Sequence, residues 1–83
     1  MSPDVANQSK KVASAREALA ENIVALRREK GWSQEALAFE CGLHRTFVAH
    51  VGRLARNIAI DNIERLAVAL GVEPYELLRP RVK

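Results

Sequence analysis

The chain has 83 residues, of which 48% are apolar and only 5% aromatic, and it carries a formal net charge of +3. That length suits one domain, and a chain of this size removes only about 60% of its unfolded surface from water, so dimerisation would add useful burial. The apolar content excludes disorder over most of the chain. No apolar run approaches the ~18 residues of a membrane span, and period-two β-branched alternation is absent, so an all-α domain is expected.

The polar stretch Met1 to Val12 lacks the apolar centre of a secretory leader, and residues 1–13 read as a flexible tail. The first helix is expected from near Ser14 to Lys30, with Leu19, Ile23 and Leu26 spaced along one face. Gly31 ends it, and Trp32 packs the corner. Ser33 then has the right chemistry for an N-cap, because its hydroxyl accepts from an orphan N–H of the first turn.

The second helix runs from there to Gly42, a residue that leaves a helix through a left-handed conformation without a Cβ penalty. Ala38 is small where two helices joined by a tight turn must approach closely. Leu37, Leu43, Val48 and Val51 supply the apolar faces of the pair. A short helix, a glycine turn and a second short helix over Ser33 to Val51 form a helix-turn-helix, which holds its second helix against the major groove of DNA. The plainer reading of the same pattern is an αα-hairpin in a small bundle.

An irregular loop from Leu54 to Ala59 follows. The fourth helix spans Ile60 to Leu70 with Ile63, Leu66, Ala67 and Leu70 inward, and Gly71 stops it. Glu73 to Leu78 reads as a last short helix with Pro74 at its first position. The domain thus covers residues 14–79, and the basic end at 80–83 is expected to fray.

Charge is distributed unevenly. No acidic residue stands between Glu40 and Asp61, while His44, Arg45, His50, Arg53 and Arg56 all do. One-sided basicity around a candidate recognition helix is the electrostatic footprint of a nucleic-acid face. Cys41 is the single cysteine, which excludes an internal disulfide and fits a reducing cytoplasm. Cys41, His44 and His50 match no usual zinc spacing, so a buried structural Cys41 and no metal are expected. No carboxylate pair, serine–histidine context or phosphate-binding glycine loop points to an enzyme.

Several segments together carry a resemblance. They are Gly31-Trp32-Ser33-Gln34-Glu35-x-Leu37-Ala38, Gly42-Leu43-x-Arg45-Thr46-Phe47-Val48, Asn57-Ile58, and Ile63-Glu64-Arg65-Leu66-Ala67-x-Ala69-Leu70-Gly71-Val72. Across roughly residues 16–78 the chain resembles the Cro/repressor (XRE-type) family. Arg45-Thr46-Phe47 with Arg56-Asn57 is most similar to the controller proteins of restriction–modification systems.

The resemblance implies a five-helix, lambda-repressor-like DNA-binding domain, usually a homodimer on a two-fold-symmetric operator, without enzymatic activity or cofactor. It implies a phosphate contact for Gln34 at the start of the second helix, where a neutral amide donor beside a helix N-terminus suits an anionic oxygen, and places Ser33 beside it among the DNA-binding residues. Arg45 is the candidate base reader, since its fork matches guanine O6 and N7. Thr46 donates to a base edge or offers its methyl to thymine. Phe47 touches DNA or packs against the domain, without the hydroxyl of the tyrosine common in relatives. Ala49 permits close approach, His50 and Arg53 are backbone contacts, Arg53 being equally suited to solvated surface or an intramolecular pair, and Arg56 and Asn57 in the following loop meet phosphate or a base. His44 reads better as a substitute N-cap than as a base reader. Ile60, Ile63, Tyr75 and Leu78 are the expected dimer surface, with the core as the other reading for Tyr75.

The chain departs from the family pattern beyond the third helix. Where relatives carry glutamate, this sequence has Gly52, so Arg27 is expected to lack its usual partner and to need another carboxylate, a backbone carbonyl or water. Leu54 replaces a residue that tolerates a left-handed cap, so the 51–58 connection is expected to differ from the usual path. Ala59 stands where relatives cap the fourth helix with Ser or Thr, and Asp61 with Glu64 is an alternative capping box. The expected function is sequence-specific transcriptional regulation on double-stranded DNA. The rival is an antitoxin-like or accessory module that keeps the fold but binds a protein.

Overall fold

The computed structural model describes residues 14–50, 55 and 57–81, with Phe47 described in its backbone alone. Five helices follow one another among the described residues: α1 (Ala15–Glu29), α2 (Gln34–Cys41), α3 (Arg45–Ala49), α4 (Ile60–Leu70) and α5 (Pro74–Leu77). Val51, Gly52, Arg53, Leu54 and Arg56 fall outside the described residues, and with them most of the connection expected to depart from the family's path.

Local chemistry sets the boundaries. Ser14 caps α1 in a full capping box, its hydroxyl accepting from Glu17 N at 3.1 Å while the Glu17 carboxylate accepts from Ser14 N at 3.0 Å. Ser33 caps α2 by accepting from Ala36 N at 3.0 Å. Gly42 leaves α2 at φ 73°, and Leu43 N–H then donates to Ala38 O at 3.0 Å, closing the turn that separates α2 from α3. The fourth helix differs from expectation. Its N-cap is Ala59, which offers no side-chain hydrogen bond, and Asp61 lies inside the first turn, so no capping box forms with Glu64.

Every helix contributes to one core. The largest fully buried side chains are Leu19 and Ile23 of α1, Leu37 of α2, Val48 of α3, Leu66 of α4 and Leu77 of α5. Burial of each such side chain is worth about 1.5–3 kcal/mol, so no helix is dispensable. Helix α4 packs against α1, α2 and α5, and α3 lies against α2. Ile63, expected at a dimer surface, is 7% exposed and belongs to this core. Its companions at i+3, i+4 and i+7 (Leu66, Ala67 and Leu70) form the same inward stripe, so it has no surface to offer.

Among the described residues one polar side chain is buried, and it orders the C-terminal segment. Asn22 Nδ2 donates to the carbonyls of Leu77 and Arg79 at 2.8 Å each and of Glu76 at 3.2 Å. Its Oδ1 accepts from Arg81 Nη1 at 2.9 Å, and Arg81 also lies 3.8 Å from Glu29. The segment expected to fray is therefore tied to α1 as far as Arg81.

Candidate nucleic-acid interface

The turn between α2 and α3 fixes how α3 is presented. Val48 is fully buried beneath α3, and Leu37, Ala38 and Cys41 of α2 are buried beside it. Arg65 of α4 reaches across to the turn, its Nη1 lying 3.4 Å from the Gly42 carbonyl. Burial pushes the Cys41 thiol up from its ordinary pKa, and its Sγ–H lies against Ala38 O at 3.7 Å, so it remains a neutral core thiol. No group of three or more metal-ligating side chains occurs among the described residues.

Val48 points inward, and the other described side chains of α3 are exposed. His44, Arg45, Thr46, Ala49 and His50 are all exposed, as are Ser33, Gln34 and Asn57. Arg45 forms no ion pair with any described residue. Gln34 is the first residue of α2, and Ser33 beside it is engaged with Ala36 N. The interval from Cys41 to Ile60 holds no acid, so α3 and the segments that flank it carry no negative charge of their own. The side chain of Phe47, and Arg53 and Arg56 altogether, lie outside what is described.

His44 is the N-cap of α3. Its Nδ1 accepts from Thr46 N at 3.2 Å and stands 2.8 Å from Thr46 Oγ1. The expectation that Thr46 donates to a base therefore meets a competitor within the chain.

A second set of exposed groups lies elsewhere. Ile60 is 68%, Tyr75 67% and Leu78 38% exposed, which removes the core reading of Tyr75. Phe39 on α2 and Val68 on α4 are also exposed, at 83% and 81%, and neither belongs to the expected DNA or dimer surfaces. The available signal for Val68 was its place outside the Ile63, Leu66, Ala67, Leu70 stripe. No helix among the described residues is long and apolar enough to cross a membrane.

Comparison with known proteins follows the same lines. Residues 23–77 match the profile of a family described as helix-turn-helix. A hypothetical transcription factor of Neisseria meningitidis serogroup B is 55% identical over 65 residues, covering 78% of this chain and 61% of that protein. The control protein C.BamHI of Bacillus amyloliquefaciens is 56% identical over 46 residues, covering 55% of this chain and 57% of that one. The chain thus spans about three-fifths of the length of these two relatives. The crystal structure of the restriction–modification controller protein C.AhdI from Aeromonas hydrophila superposes with a TM-score of 0.65 at 47% identity, covering 72% of this chain and 91% of that one.

Proposed function

Because this chain belongs to the helix-turn-helix family, we propose that it is a sequence-specific DNA-binding transcriptional regulator that acts as a homodimer on a two-fold-symmetric operator. The observation that carries the reading is α3 itself. Val48 anchors it in the core while Arg45, Thr46, Ala49 and His50 stand exposed on an acid-free segment. A helix held in this way enters a major groove as a rigid reader.

The roles follow from chemistry. Arg45 reads a guanine through O6 and N7, Thr46 faces a neighbouring base edge, and Ala49 permits close approach. Ser33 and Gln34 at the start of α2 meet DNA, Gln34 at a phosphate; His50 and Arg53 also contact the backbone, and Arg56 and Asn57 meet phosphate or a base. Phe47 adds ring contact. His44 contributes by capping α3.

Ile60, Tyr75 and Leu78 form the surface between two copies, which sets the two recognition helices about 34 Å apart, one helical turn of DNA. The description of C.AhdI as a restriction–modification controller, and of C.BamHI as a control protein, supports the same office for this chain. Selection of bound sequences from random duplex DNA at fixed salt tests the proposal. A two-fold-symmetric motif with half-sites about 10 base pairs apart is expected, and recovery of unselected sequence would refute it.

A further inference from the structure

We propose that His44 sets the hydrogen-bonding polarity of Thr46, so that α3 offers the DNA an acceptor there and selects a base bearing an exocyclic amine. The inference rests on the DNA-reading role proposed above and adds to it the chemistry of one contact.

The Thr46 backbone N–H is a donor only, and it lies 3.2 Å from His44 Nδ1. That nitrogen therefore carries a lone pair, and the ring hydrogen sits on Nε2. The Thr46 hydroxyl oxygen stands 2.8 Å from the same Nδ1. A ring nitrogen that presents its lone pair cannot donate, so the hydroxyl turns its single hydrogen inward to the imidazole. What Oγ1 presents outward is its lone pairs, on an exposed residue of the recognition helix.

This commitment has a consequence for specificity. A free threonine rotor matches a base amine or a base carbonyl equally, because its hydroxyl both donates and accepts. With the hydrogen held by His44, only the acceptor remains. Adenine N6 or cytosine N4 in the major groove satisfies it, whereas guanine O6 or thymine O4 sets acceptor against acceptor. His44 is thus a positioning residue, acting on the base through Thr46. A residue that only capped the helix would satisfy Thr46 N and leave the hydroxyl free.

The test is competition binding of the full chain to its selected operator and to variants exchanged between amine- and carbonyl-bearing bases at each half-site position. Thr46→Val removes the hydroxyl and locates the position, where the preference for an amine falls by about three- to tenfold, the worth of one hydrogen bond. His44→Ala is expected to lose the same preference at the same position, and the double variant to lose no more than either single one. His44→Asn, whose side-chain oxygen accepts from both Thr46 groups, restores it.

Uniform weakening of all operators by His44→Ala, with the amine preference intact, would overturn the inference, as would a Thr46→Val variant with unchanged preference at every position. Both results presuppose an operator preference in the unaltered chain. Its absence would instead overturn the functional reading and this inference with it.

Discussion

The Arg27 guanidinium donates from Nη1 to the Trp32 carbonyl at 2.7 Å, while its buried Nε has no partner among the described residues. A backbone carbonyl at the α1–α2 corner thus answers part of the charge that a glutamate balances in the family pattern. The cation of Lys30 sits over the Trp32 ring at 5.2 Å, so the same corner carries a second positive group.

Replacing Arg27 is therefore expected to cost little. Arg27→Met removes a charged hydrogen bond worth about 1.5–3 kcal/mol and also relieves an unsatisfied buried donor costing about 1–3 kcal/mol. Urea unfolding should place the variant within about 1 kcal/mol of the parent. A loss above about 3 kcal/mol, the signature of a broken buried pair, would contradict this account.

Ala59 leaves the start of α4 without a side-chain cap. Ala59→Ser should add about 1 kcal/mol, which for a domain of this size raises Tm by about 4–8 °C. Ser33→Ala, which removes the cap that α2 does have, should lower stability by a similar amount. Thermal unfolding followed by circular dichroism checks the pair. An unchanged Tm in both variants would show that caps do not limit these helices.

Asn22→Asp tests the latch between α1 and the C-terminal segment. The change keeps shape but puts an oxygen where Nδ2 donates to Glu76, Leu77 and Arg79 carbonyls. Three acceptors then face an acceptor, and a loss of about 3 kcal/mol or more is expected in urea unfolding. Proteolysis near the C-terminus should accelerate in step. Full stability with unchanged proteolysis would mean that the latch does not hold the segment.

Tyr75→Ala addresses self-association. Because the side chain is 67% exposed, the monomer fold should be unaffected. Sedimentation equilibrium should show dimer affinity weakened by about 2 kcal/mol, or roughly thirtyfold, if Tyr75 anchors the interface. An unchanged dimer would move the interface elsewhere on the surface.

The contrast between α2 and the connection after α3 shows what the sequence encodes locally. Ser33 and Gly42 each act through backbone chemistry within a few residues, so the boundaries of α2 were legible without tertiary information. The stripe on α4 was equally legible, because helical periodicity reports burial directly. For Ile63 the sequence allows both the core and the dimer surface, and only packing decides between them.

Asn22 was invisible for a different reason. Its partners lie more than fifty positions away in the chain, and no local pattern reports a buried amide satisfied by distant carbonyls. Spacing alone accounts for the exposure of Thr46, two positions from the inward Val48, but not for that of Arg45, which stands three positions from Val48 and is exposed as the first residue of α3. The engagement of Thr46 by His44 did not follow, because it depends on which atom of the cap accepts.

The role of Arg45 carries the account, and selection of bound sequences from random duplex DNA, repeated with Arg45→Ala at the same salt, tests it most directly. The parent should yield a two-fold-symmetric motif with guanine at one position of each half-site. The variant should lose about 1–3 kcal/mol on that operator and relax the preference at that position alone. An equal loss on every sequence, with the motif unchanged, would show Arg45 holding phosphate and would contradict the assignment of α3 as the base-reading helix through this residue.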